Sequence, residues 1–298
     1  MRPIAFLISS NVVRGRPEAR ADCSEFEKEF AAIDAPCREA GFALQPVIWD
    51  EALDAGAFDG VIVGTTWDYW DKQALFLSTL DAASRQAPVM NPARVIRWNL
   101  DKSYLRDLAS AGAPGIETLW VDRADPVTIE SAFDVLGADD LVIKPLVGGG
   151  AWRQARVRRG EPLPTVEDLP PAEAMIQPFL SGVAREGEYS LLFFGGRFSH
   201  ALNKRPRAGD YRVQSIYGAS EAEWSPDAAM REAAEQVLDA ARRVTGEADF
   251  LYARVDLVRG DDGGLLVMEL EMIEPYFYPE QGPDMGRVFA AALSGSLG

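Results

Sequence analysis

The chain has 298 residues, 47% hydrophobic and 26% charged, the balance of a globular protein with room for one large or two ordinary domains. Its 46 acidic and 30 basic side chains give a formal net charge of -16, which argues against nucleic acid or an anionic membrane as the main partner. Cys23 and Cys37 form neither a zinc pattern nor a disulfide framework and read as reduced thiols of a cytoplasmic protein, while the lone His200 leaves no Ser-His-Asp or Cys-His set.

In chain order, Pro3 to Ile8 reads as a first strand, too short to span a membrane and wrongly flanked for a signal peptide. Glu25 to Ile33 reads as a helix capped by Ser24, with Pro36 expected to break or restart it. Strands at Ala43 to Ile48 and Gly60 to Val63, a helix at Gln73 to Ser84 and a short strand at Val89 continue a βαβ alternation, which implies a parallel sheet. A helix follows at Lys102 to Ala111, capped by Asp101, then a strand at Glu117 to Val121, a helix at Thr128 to Leu136 and a strand at Leu141 to Lys144. Beyond that, strands at Ala174 to Gln177, Tyr189 to Phe194, Arg197 to Ala201, Tyr252 to Val258 and Leu265 to Glu271 run in hairpin-like order. One long helix, Asp227 to Val244, interrupts them, with Ser225 as its expected cap and Pro226 at its first position. A parallel first part and an antiparallel second part imply at least two lobes.

The most informative stretch is Leu266 to Pro275. Glu269 and Glu271 are two apart, so on a strand both leave one face. The turn Gly260-Asp261-Asp262-Gly263-Gly264 folds this run back on Arg254 to Val258, which brings Asp256 beside them. Three carboxylates set in apolar strands repel one another, and a hard divalent cation relieves that cost; a solvent-facing acidic strand is the alternative reading. In Leu141 to Arg153 a strand delivers Lys144, Pro145 ends the pairing, and Gly148, Gly149 and Gly150 follow, glycines that let backbone N–H groups approach a phosphate. No Gly-Lys-Ser/Thr follows, so this is not a Walker A loop. Lys102 is a second candidate cation. The cluster Thr65 to Tyr69 follows the strand ending at Gly64, at the carboxyl edge of a sheet, where ligands bind. There Asp68 is a candidate for a substrate amino group, with Trp67 and Tyr69 as pocket walls. The competing reading is core aromatics and a capping aspartate. His200 is read as structural.

These residues together resemble the ATP-grasp enzymes, most closely the glutathione synthetase and ribosomal-S6-modification branch. Lys144-Pro145-Leu146 plus the glycines resembles that branch's phosphate loop, Met175 to Leu180 its adenine linker, and Gly187-Glu188 the pair whose acid holds the ribose. Asp256, Glu269, Glu271 and Pro275 follow the order of its metal strands. Thr65 to Tyr69 and Val95 to Lys102 resemble a subgroup, the O-ureido-serine cyclo-ligases of cycloserine biosynthesis. The resemblance implies an α/β chain with an amino-terminal parallel-sheet domain (residues 1–98), a lid subdomain (99–180) and a carboxy-terminal subdomain bearing the metal strands (181–298). It implies that Lys102 and Lys144 neutralise phosphates, that Gly148, Gly149 and Gly150 close over them, and that Gln177 and Phe179 line the adenine site. It further implies that Glu188 holds the ribose and that Asp256, Glu269 and Glu271 hold two Mg²⁺, with Mn²⁺ as an alternative. Arg212, with Lys204 as a weaker candidate (a solvated strand-end lysine being the competing reading), is implied near the transferred phosphoryl group.

The chain departs from the branch at three positions. Glu271 replaces its usual Asn, Gln214 stands for an Asn, and Ser190 stands where glutathione synthetases carry an arginine, so the resemblance does not extend to glutathione as product. The activity implied is ATP-dependent joining of a small carboxylate to an amine through an acylphosphate, inter- or intramolecular. A small-molecule kinase and a non-catalytic nucleotide-binding protein are the rival readings. Neither nucleic acid nor membrane is an expected partner, and a homodimer is left open.

Overall fold

Three β-sheets, laid down one after another along the chain, organise the computed structural model, which describes residues 1–298 apart from the side chain of Ser215. The first contains β1 (Arg2–Ile8), β2 (Phe42–Ile48), β3 (Gly60–Val63) and β4 (Val89–Met90) in the order β2-β1-β3-β4, all parallel. Both faces of β1 are buried, as a parallel sheet demands. Ile4, Phe6 and Ile8 pack toward α1 (Ser24–Glu39), while Ala5 and Leu7 pack toward α2 (Gln73–Ser84). Two local expectations fail at α1. Ser24 is its first residue rather than its cap, and Pro36 does not end it. Proline removes only the N–H that would reach Ala32 O. The tight spot this leaves is matched by Gly286, where any Cβ would collide with Ala32 O.

Two short helices, α3 (Ala93–Asn99) and α4 (Tyr104–Ser110), lead to the second sheet. Its strands are β5 (Leu119–Val121), β6 (Asp140–Pro145), β7 (Ala155–Arg158) and β8 (Ala174–Pro178), in antiparallel order β5-β8-β6-β7. It is backed by α5 (Pro126–Val135), whose first turn Asp125 caps by accepting the Thr128 N–H. Residues 99–113, assigned from the sequence to this lid, pack instead against the third sheet. Tyr104, Leu105 and Leu108 enter that sheet's core, and the Tyr104 hydroxyl accepts the Leu270 N–H.

After α6 (Ser181–Arg185) come β9 (Glu188–Phe194), β10 (Arg197–Arg205), β11 (Ser220–Glu223), α7 (Ala228–Thr245), β12 (Tyr252–Arg259) and β13 (Leu265–Glu271), and α8 (Met285–Leu297) ends the chain. The strands form one antiparallel sheet, β11-β10-β9-β12-β13. The cap of α7 is Asp227, whose carboxylate accepts the Met230 N–H, and not Ser225; the helix therefore starts beyond Pro226. Met230, Ala234, Val237 and Ala241 of α7 cover one sheet face over Leu191, Phe193, Val255 and Leu257. The opposite face is split along its length. Leu192, Phe194, Leu202 and Tyr252 join Phe277, Phe289, α1 and the first sheet in a shared core, each buried apolar side chain contributing about 1.5–3 kcal/mol. The same face continues as Glu188, Ser190, Lys204, Arg254 and Asp256, which are buried but polar. The apolar half fixes the first lobe onto the third sheet, and the polar half floors the space between the lobes.

Candidate active site

A cavity of about 450 Å³ opens over that polar half. Lys102, Lys144, Gly148, Gly149, Gly150, Glu188, Lys204, Asp256, Glu269, Glu271, Trp67 and Tyr69 all line it. The turn brings Asp256 directly opposite Glu269 and Arg254 opposite Glu271. Met268 is absorbed by a bulge next to Asp256. Oxygen atoms of Asp256, Glu269 and Glu271 lie within 4.8 Å of one another. Three convergent carboxylates form the all-oxygen donor set that suits a hard divalent cation.

Each acid in this cluster is countered by a cation from another strand or loop. Lys102 Nζ lies 3.1 Å from Glu269 and donates to Gly148 O at 3.0 Å, so it ties the glycine loop to the carboxylates. Burial opposes its charge, but Glu269 prevails and holds its pKa above the ordinary lysine value. Lys144 is the contrast. Burial, with Lys102 adding repulsion, pulls it below the lysine value although Glu269 opposes, and its Nζ rests against Met268 Sδ at 3.1 Å. Lys204 is only 4% exposed. It sits 2.5 Å from Glu188 and 3.4 Å from Asp256, and these acids outweigh burial and push its pKa up. The reading of Lys204 as a solvated strand-end lysine is therefore wrong: β10 runs four residues past Ala201 and carries it inside.

Arg254 is the residue the sequence reading missed. Its guanidinium bridges Asp256, at 3.0 Å, and Glu271, and Ser190 donates to Asp256 at 2.5 Å. Burial opposes the Arg254 charge, but Asp256 and Glu271 hold it firmly in place. The signal was present, since Arg254 lies two residues from Asp256 and must share its face. Burial, reinforced by Glu269 and Asp256 and only partly offset by Arg254, pushes Glu271 up to about 7. The extra acid at this position is thus matched by an arginine opposite it.

Other expected residues fall elsewhere. Gln177, Phe179 and Arg212 line a smaller space of about 80 Å³ that also touches Lys144, Glu188 and Glu269. Gln177 Nε2 donates to Thr118 Oγ1 at 2.9 Å, and the Arg156 guanidinium stacks 3.4 Å over the Phe179 ring. Arg212 does not face the large cavity. Its guanidinium is forked onto Asp210 and lies 3.7 Å over the Tyr217 ring, while the Tyr217 hydroxyl donates to Gly150 O at 2.9 Å. Asp68 also turns away, accepting from Trp49 Nε1 at 2.6 Å and Lys72 Nζ at 2.8 Å, so it is already satisfied. It does not cap the following turn either. The glycine loop meets the first lobe through Trp152, whose ring lies 5.4 Å from that of Trp70 and tilted 40° to it. His200 is structural, with Nε2 at 2.8 Å from Phe277 O. Cys23 and Cys37 are free and buried. No helix among the described residues is long and apolar enough to cross a membrane.

With this geometry in view, comparison with known proteins is consistent at every scale. The fold is that of the ATP-grasp enzymes: D-alanine–D-alanine ligase from Bacillus anthracis, complexed with ATP, superposes with a TM-score of 0.67 at 17% identity, covering 100% of this chain and 97% of that one. The ATP-grasp ligase PsnB, complexed with minimal precursor, Mg and ADP, gives 0.63 at 16% identity over 99% and 98%. The crystal structure of D-cycloserine synthetase DcsG gives 0.86 at 26% identity over 99% and 100%. Residues 4–91 match the family described as D-cycloserine synthetase DcsG, N-terminal domain. The cycloserine biosynthesis protein DcsG of Streptomyces lavendulae is 30% identical over 275 residues, 88% of this chain and 91% of that protein. The protein is an ATP-dependent ligase of the ATP-grasp superfamily. Within it, the chain belongs to the DcsG family.

Proposed function

We propose that this ligase joins the carboxylate of a small amino-acid-like molecule to a nitrogen nucleophile, within one molecule when the substrate is an O-ureido-serine. The observation that carries the reading is the convergence of Asp256, Glu269 and Glu271 in a cavity shared with Lys102, Lys144 and the glycine loop. The lysines and loop amides suit nucleotide phosphates, and the smaller space by Gln177 and Phe179 suits the adenine. Asp256, Glu269 and Glu271 would hold Mg²⁺, which supplies charge neutralisation and orientation of the phosphates when bound. A substrate carboxylate oxygen attacks the γ-phosphorus and ADP leaves. The nitrogen then attacks the acyl carbon, loses its proton, and phosphate departs. Positioning and fixed charge suffice for both steps, so the absence of a histidine base from the cavity lining is no obstacle. The role assigned to Arg212 beside the reacting groups passes in this reading to Arg254, which faces the cavity and keeps its charge.

The test is ADP and phosphate release by the purified protein with ATP, Mg²⁺ and either O-ureido-serine or a panel of amino acids and dipeptides. Equimolar ADP and free phosphate that depend on one of these substrates support the ligase. ADP formed with a stable phosphorylated product instead would favour a kinase.

A further inference from the structure

The reaction needs a carboxylate near the phosphates, and in an amino acid the ammonium group lies one carbon away. Something in the cavity must take that ammonium. Asp68 cannot, since Trp49 and Lys72 already satisfy it. Asp22 is forked by Arg20, Glu188 is held by Lys204, Glu269 by Lys102, and Asp256 and Glu271 by Arg254. Two further acids line the cavity, Glu25 on α1 and Glu221 on the edge strand β11. Glu274 faces the same cavity three residues past Glu271. Its side chain makes no hydrogen bond or ion pair with any described residue.

We propose that Glu274 is the specificity-determining residue that binds the ammonium group of the amino-acid substrate. The assignment rests on the ligase reading above. Three observations support it. The backbone at Glu274 is pinned, because its carbonyl accepts the Trp67 indole N–H at 3.2 Å. The surroundings are aromatic: Trp67 and Tyr276 meet edge-on at 6.4 Å, and Tyr276 packs against Tyr278 at 4.8 Å, all three lining the cavity. Arg20 lies over Trp67, and Lys204 and Arg254 lie over Tyr278, so among the described residues Tyr276 is the wall left to a ligand cation. Burial, together with Glu271 and Glu269, drives the Glu274 carboxyl well above its ordinary range against the pull of Lys102 and Arg254, neither of which is paired with it directly. A ligand ammonium supplies a direct counter-charge and a charge-assisted hydrogen bond.

The experiment compares O-ureido-serine with its des-amino counterpart, 3-(ureidooxy)propanoate, by steady-state ADP formation in wild type, Glu274→Gln and Glu221→Gln. Glu221 is the control, an acid of the same cavity that stands on edge strand β11 opposite Lys204. The wild type should favour the amino compound by about 10- to 100-fold in kcat/KM, the worth of one hydrogen bond to a charged group. Glu274→Gln should lose most of that preference through a raised KM, with the KM for ATP and the melting temperature little changed. Glu221→Gln should keep the preference.

Equal use of both compounds by the wild type overturns the proposal without recourse to any variant, as does a preference that survives Glu274→Gln or disappears in Glu221→Gln. If O-ureido-serine is inert, that substrate is wrong. The same comparison is then made with whichever amino acid stimulates ADP release and its des-amino counterpart, so the two failures are told apart. Stimulation by no amino acid overturns both readings.

Discussion

Replacing Lys204 by Met keeps the length and most of the volume of the side chain and removes only the charge. In the structure that charge stands between Glu188 at 2.5 Å and Asp256 at 3.4 Å, with almost no solvent access. Breaking a buried ion pair from one side costs about 3–5 kcal/mol, because the remaining acids are stranded. Asp256 keeps Arg254 and Ser190, so the lower end, about 3 kcal/mol, is expected. For a chain of this size that lowers the melting temperature by roughly 6 °C, at about 2 °C per kcal/mol. The loss should depend on pH in a definite direction. Burial already holds Glu188 above the ordinary carboxylate range despite Lys204, and removing the Lys204 charge leaves burial less opposed. Such a group contributes stability at low pH and loses it as pH rises through the folded pKa. The deficit of Lys204→Met should therefore shrink on acidification from pH 8 toward pH 5.5, as Glu188 takes up a proton. Thermal melts at both pH values, followed by circular dichroism, measure it. A variant that melts within about 1–2 °C of wild type at pH 8, where about 6 °C is expected, would refute Lys204 as the neutralising cation of this cluster.

Two further outcomes follow from the same electrostatics. Glu29 is buried in α1, accepts the Phe277 N–H at 2.7 Å, and is pushed up to about 8 by burial. Its raised folded pKa stabilises the fold at low pH and ceases to do so as pH climbs past about 8. Glu29→Gln, which can still accept that bond, should flatten the fall in melting temperature between pH 6 and pH 9; an unchanged slope counts against the assignment. Glu271, held to about 7, should lose its charge as pH falls from 8 to 6 and weaken as a metal ligand. Apparent Mn²⁺ affinity, read by titration calorimetry, should thus drop more steeply over that range in wild type than in Glu271→Asn, and parallel curves would contradict this.

Much of the site was legible because strand geometry is simple. Alternation placed Glu269 and Glu271 on one face, and the glycine-rich turn was enough to pair Asp256 with Glu269. Lys144 and the three glycines stood out in the sequence because a strand carries the lysine and ends at Pro145, just ahead of the glycines. What was missed has physical causes. Arg254 carries no metal-ligand chemistry of its own, so only its spacing of two from Asp256, which sets its face, marks it in the sequence. The depth of Lys204 depends on β10 extending to Arg205 against β11, whose sequence Ser220–Glu223 is too polar to announce a strand. Asp68 was credited with a free carboxylate because its partners, Trp49 and Lys72, come from other segments that only the fold brings near. Pro36 stays within α1 because a missing N–H costs little where Gly286 lets α8 lie close against that turn. Residues 99–113 join the third sheet through Tyr104 and Asn99, whose side-chain bonds to β13 and the segment after it have no local signature.

The central claim is that Asp256, Glu269 and Glu271 form the metal and nucleotide centre of a ligase. Glu269→Gln tests it most directly, because it removes one charge and leaves shape and size nearly unchanged. Substrate-dependent ADP formation at saturating ATP and Mg²⁺ should fall by about 10²-fold or more, the scale set when one transition-state charge contact is lost. The melting temperature should fall less than in Lys204→Met, because the Lys102–Glu269 pair is partly exposed and Asp256 and Glu271 lose a like charge beside them. Undiminished ADP formation by a folded Glu269→Gln protein would contradict the account.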